Sequence, residues 1–239
     1  MGKLNADTSD QTKNNEGKFF WKKVEGVTVL KNPLTFPVYV RSDVADSLTD
    51  AFNEISSLGG SVVSSGAMRA LSDYGRSGTS ATSLHYLGLA VDLFVYGGMQ
   101  NPENDSFIVI KDGGTAAKPQ WRVYCKTENT DIKVTTLKAA VWVKGLGVEE
   151  KTIEGRFIDA TEILKKHGWE PISVRKEWKN SYISCEWWHF QNTKMLLEGS
   201  TTFKSELLKL YEETEVNTHF KMNRSRYLNY IWNDGYFDN

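Results

Sequence analysis

Two short stretches, far apart in the chain, constrain the fold more than any other feature. They are Ser83-Leu84-His85-Tyr86-Leu87-Gly88-Leu89-Ala90-Val91-Asp92 and Glu186-Trp187-Trp188-His189. Between them they carry two imidazoles and two carboxylates, the residue types of a catalytic metal centre. A hydrolytic zinc ion takes three protein ligands from His, Asp or Glu and keeps another position for water or substrate. His85, Asp92 and His189 supply three ligands. Glu186 is left over, a carboxylate suited to take a proton from water acidified by the ion. A chain that uses both stretches must bring them side by side.

Local geometry can meet that demand. Side chains alternate along a strand, so the odd separation of His85 and Asp92 forbids one continuous strand from aiming both at one ion. Glycine tolerates a turn or bulge, so Gly88 lets the chain bend after Leu87 and enter a strand at Leu89. In that strand Leu89, Val91, Leu93 and Val95 share one face, and Ala90, Asp92 and Phe94 the other. Glu186 and His189 are also an odd separation apart. The chain is therefore expected to leave the extended state near Trp187, with His189 opening a strand through Phe190 and Gln191.

The pattern Ser-x-His-x-x-Gly-x-Ala-x-Asp followed by Glu-x-Trp-His resembles the paired signature of the zinc D-alanyl-D-alanine carboxypeptidase and dipeptidase family, which includes phage L-alanyl-D-glutamate endopeptidases. Ser83, His85, Gly88, Ala90, Asp92, Glu186, Trp188 and His189 occupy its fixed positions. The resemblance implies Zn²⁺ on His85, Asp92 and His189, with Glu186 as general base. It also implies a substrate-contacting arginine that steadies the oxyanion. Ser64-Ser65-Gly66-Ala67-Met68-Arg69 is similar to the family's Ser-Gly-Tyr-Arg pattern, with Met68 in place of the aromatic residue, and points to Arg69. Trp188 takes the family's aromatic position, and with Ser83 and Tyr74 it completes the candidate substrate-binding set. The likeness covers about residues 40 to 195, with a gap in the middle.

The 239 residues, 40% hydrophobic, suffice for one sizeable core. The expected architecture is α+β, a single domain whose small antiparallel sheet carries the zinc site, flanked by helices and interrupted by an inserted β-hairpin. Residues 1–17 are polar and read as a flexible arm, 18–200 as the peptidase domain with the insertion at about 100–155, and 201–239 as a helix and aromatic tail packed on it. A net charge of −1 gives no electrostatic argument for nucleic acid or membrane binding. No apolar run is long enough for a membrane span, and the N-terminal residues carry no signal-peptide core. A wall-degrading enzyme of this kind would be made in the cytoplasm and reach the bacterial wall through a holin-type lysis pore or as a virion component. Two cysteines, Cys125 and Cys185, make no disulfide framework. Cys185 beside Glu186 reads as a small half-buried residue rather than a nucleophile.

Along the chain, Val24 to Leu30 is a candidate strand or extended arm, broken at Asn32-Pro33. A helix capped by Ser42 buries Val44, Leu48, Ala51, Phe52 and Ile55 and stops at Gly59-Gly60. Ser61 to Ser64 reads as a strand delivering Arg69, and the Ser/Gly-rich run from Ser72 to Ser80, with Tyr74 and Arg76, as a loop. Gln120 to Lys126 and Ile132 to Val143 flank Asn129-Thr130-Asp131 and are expected to pair as a hairpin. Arg156 to Lys166 reads as a helix ended by Gly168, and Thr202 to Glu213 as a last helix with Phe203, Leu207, Leu210 and Tyr211 inward. The tail from Asn217, with Phe220, Tyr227, Tyr230, Trp232, Tyr236 and Phe237, packs on the core or contacts wall or virion. His167 and His219 read as ordinary structural histidines.

These features make the expected function a zinc metallopeptidase acting on peptidoglycan stem peptides, as a phage cell-wall lytic enzyme. A different class would also fit the residues: a non-catalytic, zinc-bearing structural or adhesion module of a virion.

Overall fold

The computed structural model describes residues 12–28, 37–73, 82–197 and 200–219. Strand β1 (Trp21–Lys23) pairs antiparallel with β2 (Tyr39–Arg41), which runs directly into helix α1 (Ser42–Ser57). Apolar side chains at helical spacing, among them Val44, Leu48, Ala51, Phe52 and Ile55, give α1 one buried face. Ser42 does not cap this helix. Arg41 stands at the cap position, and the Ser42 hydroxyl instead accepts the Phe20 amide at 3.1 Å and donates to the Thr12 carbonyl. A tertiary demand has displaced the local one.

β3 (Ser64–Gly66) follows, then a 3₁₀ turn (Leu84–Leu87) and β4 (Ala90–Leu93). Next come four longer strands, β5 (Phe107–Gly114), β6 (Pro119–Lys126), β7 (Thr135–Val143) and β8 (Gly147–Gly155), and short β9 (Phe157–Asp159). Helix α2 (Ala160–Lys166), β10 (Glu170–Pro171), a 3₁₀ turn (Tyr182–Cys185), β11 (His189–Gln191), α3 (Phe203–Leu208) and α4 (Glu213–His219) complete the described chain. The architecture is α+β, as expected, with small antiparallel sheets in the orders β1-β2, β10-β11-β4-β3 and β8-β7-β5-β6-β9. No helix among the described residues is long and apolar enough to cross a membrane.

Several local expectations are corrected. The first strand lies at Trp21–Lys23; of the two readings of Val24 to Leu30 the strand does not form over Val24–Thr28, the last two residues falling outside the described set, and the strand before Arg69 begins at Ser64 rather than Ser61. Phe157–Asp159 is a strand paired with β6, so α2 starts only at Ala160, where the Asp159 carboxylate accepts the Glu162 amide. The last helix breaks into α3 and α4 after Lys209. Part of the N-terminal arm is anchored: Lys13 bridges Phe19, and the Phe19 amide donates to the Lys209 carbonyl.

The largest correction concerns the insertion. β6 does not pair with β7; β6 pairs with β5 and β9, and β7 with β8 and, at one position, β5. Asn129-Thr130-Asp131 does turn the chain, with Asn129 Oδ1 accepting the Asp131 amide at 3.0 Å, but the turn is also tied away from β7. Asn129 Nδ2 and Thr127 Oγ1 both donate to the Leu58 carbonyl at the end of α1, at 3.2 and 3.0 Å. The connection is tied to the helix, so the hairpins form at Thr115 to Lys118, where two bonds of 3.0 Å close the turn, and at Lys144 to Leu146. The outer part of this sheet is exposed, whereas Phe107, Val109, Trp121, Val123 and Cys125 join the common core.

Arg41 stitches the C-terminal helices to that core. It is fully buried, with Nε and Nη2 on Asp43 at 2.7 and 2.9 Å and Nη1 on Glu206 of α3 at 2.7 Å. A buried cation is tolerated only when paired in this way.

Candidate metal centre

Each ligand is aimed by a different local device. After extended Ser83 the chain forms its 3₁₀ turn and ends at Gly88, whose φ of 65° and ψ of 24° lie in the left-handed region. A Cβ at Gly88 would stand 2.5 Å from the Arg41 amide nitrogen, so both conformation and space demand glycine. This turn puts His85 on the Asp92 side of the sheet despite the odd separation.

Register places the third ligand. β11 pairs antiparallel with β4 so that His189 faces Asp92, Phe190 faces Val91, and Gln191 faces Ala90. Directly opposed residues of an antiparallel pair share a face of the sheet. Glu186 begins the approach: with φ 51° it is the one non-glycine residue of positive φ among those described, and its carbonyl accepts the His189 amide at 3.1 Å.

Asp92 sits between the two imidazoles. Its Oδ2 is 3.3 Å from His85 Nε2 and its Oδ1 is 3.1 Å from His189 Nδ1, while the rings stand 5.0 Å apart at 84°. Ligand atoms of His85, Asp92 and His189 all lie within 4.8 Å of one another, so the three can hold a metal ion. The donor set passes a further test. His85 Nδ1 lies 2.6 Å from the Ala67 carbonyl, which can only accept, so that nitrogen carries the hydrogen and Nε2 keeps its lone pair for a ligand. Burial would raise the Asp92 pKa, but the neighbouring imidazoles of His85 and His189 hold it well below the ordinary carboxylate range.

The centre opens into a cleft of about 370 Å³ lined by Pro37, Tyr39, Met68 and Arg69 beside His85 and Asp92. Arg69 is placed there by its amide, which donates to the His85 carbonyl at 3.2 Å, and its guanidinium stacks 5.5 Å from the Tyr86 ring centre. Glu186 stays outside the ligand group, its side chain 5% exposed. Burial raises its pKa, against the lowering pull of His189 and Arg175. Arg175 Nε lies 2.5 Å from Glu186 Oε1, a partner the motifs did not indicate.

The remaining candidates are placed less directly. Ser83 is buried at the start of the turn, and Trp188 is buried against Tyr182 and Trp187, one residue before His189. Tyr74 and Arg76 lie outside the described residues, as does the aromatic tail from Phe220. Burial pushes the Cys185 thiol up to about 12, which leaves it no thiolate for nucleophilic attack near neutral pH. His167 binds Glu54 at 2.8 Å, far from this chemistry.

The arrangement brings two imidazole nitrogens and a carboxylate to one point, with a separate buried acid and a cleft-lining guanidinium nearby. Such a set can bind a cation, move a proton and attract negative charge. No family model, curated protein or solved structure matches the chain.

Proposed function

We propose that this protein is a zinc peptidase that hydrolyses amide bonds in peptidoglycan stem peptides, as an L-Ala-D-Glu endopeptidase or a D-Ala-D-Ala carboxypeptidase. The observation that carries the reading is the convergence of His85 Nε2, Asp92 and His189 Nδ1 beside a cleft that His85 and Asp92 line, with Glu186 close enough to interact with all three and outside the ligand group. Two imidazoles and one carboxylate suit zinc, and three protein ligands leave room for solvent. The peptidoglycan substrate rests on the likeness of both motifs to the family described above.

Bound there, zinc supplies Lewis acidity and lowers the pKa of water. Glu186 accepts a proton from the attacking water and returns it to the leaving amine. Burial, which raises its pKa, strengthens it as a proton acceptor. Arg69, held in the cleft by the His85 carbonyl, attracts the developing negative charge on the substrate carbonyl. In this reading the enzyme acts at the bacterial wall, released by a phage lysis pore or carried on the virion.

Mass spectrometry of muropeptides treated with wild type, chelated protein and Glu186→Ala tests the proposal. Wild type should release new termini and chelation should stop it. Glu186→Ala should keep one metal per chain while losing about 100- to 10,000-fold in rate. A protein that holds its metal yet cuts no wall chemotype would instead be a structural or adhesion module.

A further inference from the structure

We propose that Arg175 is a positioning residue for Glu186, held in place by the five-stranded sheet; this rests on the peptidase reading above. The arginine is 47% exposed at the side chain and the glutamate 5%, so a cation at the solvent border meets a buried acid. A glutamate side chain has several rotatable bonds, and proton transfer needs one orientation. With Oε1 engaged by Arg175 Nε, the carboxylate is pinned and its other oxygen is left for the proton.

The loop bearing both residues is closed on itself and tied to the sheet. The Arg175 amide donates to the Ser184 carbonyl at 2.8 Å, and the Arg175 carbonyl accepts the Trp178 amide at 3.1 Å. Three indoles then fasten the loop. Trp121 of β6 donates to the Cys185 carbonyl at 2.9 Å, one residue before the acid. Trp142 of β7 donates to the Trp178 carbonyl at 2.8 Å, and Trp178 donates to the Ala117 carbonyl at 2.9 Å. The sheet that lacks every metal ligand thereby fixes where the acid and its arginine meet.

Kinetics on a stem-peptide substrate test the role, together with ¹³C resonances of labelled glutamate carboxyls. The Glu186 signal is identified by its loss in Glu186→Gln. Arg175→Ala should lower kcat about 10- to 100-fold with KM within about twofold and metal content unchanged. It should also shift the Glu186 resonance, and Arg175→Lys should restore most of the rate. Unchanged kcat with an unmoved resonance overturns the role. So does a raised KM at full kcat, which would mark a direct substrate contact. An active wild type separates these failures from failure of the peptidase reading; an inactive wild type overturns both.

Discussion

The two larger sheets solve different problems. β10-β11-β4-β3 is built from strands of two to four residues, and its central strands are almost wholly buried. It could not stand alone; its register is imposed by the surrounding core, and that rigid setting lets it hold Asp92 opposite His189. β8-β7-β5-β6-β9 has four strands of eight or nine residues, joined in two hairpins by local turns, and the three-residue β9 at its edge, with much of β7 and β8 exposed. One sheet is short and chemical, the other long and supportive. Precision at a site comes from burial on all sides, and the long sheet contributes that burial through its tryptophans.

The sharpest test of this contrast is His189→Ala. It should reduce metal affinity by more than the ~10- to 100-fold typical of changes behind the ligands. Equilibrium competition with a chelating dye checks it, and His167→Ala should leave affinity unchanged. Equal losses in both would dissolve the distinction between site and scaffold.

Glycine substitutions compare the sheets next. Gly88→Ala and Gly145→Ala both place a side chain at positive φ, 65° and 85°, but Gly145 has nothing within 4 Å of its would-be Cβ. Gly145→Ala should cost about 1–2 kcal/mol in denaturant unfolding, the conformational penalty alone. Gly88→Ala should cost more, because the Arg41 backbone stands in the way. It should also weaken metal binding by displacing His85.

Trp121→Phe probes the link between the sheets. It leaves the Cys185 carbonyl without its indole donor, at a cost of about 1–3 kcal/mol for a buried unpaired group. Turnover should fall while metal content holds; stability loss with full activity would mean the long sheet does not reach the acid.

The smallest effect is expected at Glu54, where α1 meets Lys166 and His167 at the end of α2. Hydrogen bonds from Lys166 and then His167 hold its carboxyl below the ordinary value of 4.5. A depressed folded pKa gives stability that is present above the unfolded value and lost as pH falls through the folded one. The stability gap between wild type and Glu54→Gln should therefore be under ~1 kcal/mol near neutrality and shrink in acid.

Much of the candidate metal centre was legible because its signals are local. The bend at Gly88, the strand from His189 to Gln191 and the departure from extension before it all follow from spacing and residue type. The insertion was less legible. Gln120 to Lys126 alternates as a strand should and lies within β6, and β-branched Ile132 to Val143 contains β7. What pairs with them depends on edges, and the turn at Asn129 is tied through its Nδ2 to the Leu58 carbonyl at the end of α1. Arg175 was invisible for a similar reason: nothing in Val174-Arg175-Lys176 distinguishes it from a solvated charge until Ser184 and Glu186 fold back upon it.

By itself the sequence determined which side chains could share a cation, where glycine had to break the chain, and that the fold mixes helices with short antiparallel strands. The tertiary structure alone decided which strands adjoin, which histidine nitrogen keeps its lone pair, and which cation meets the buried acid. Side-chain type and spacing act over a few residues, whereas pairing partners and hydrogen-bond acceptors are supplied by whatever distant segment the core brings near.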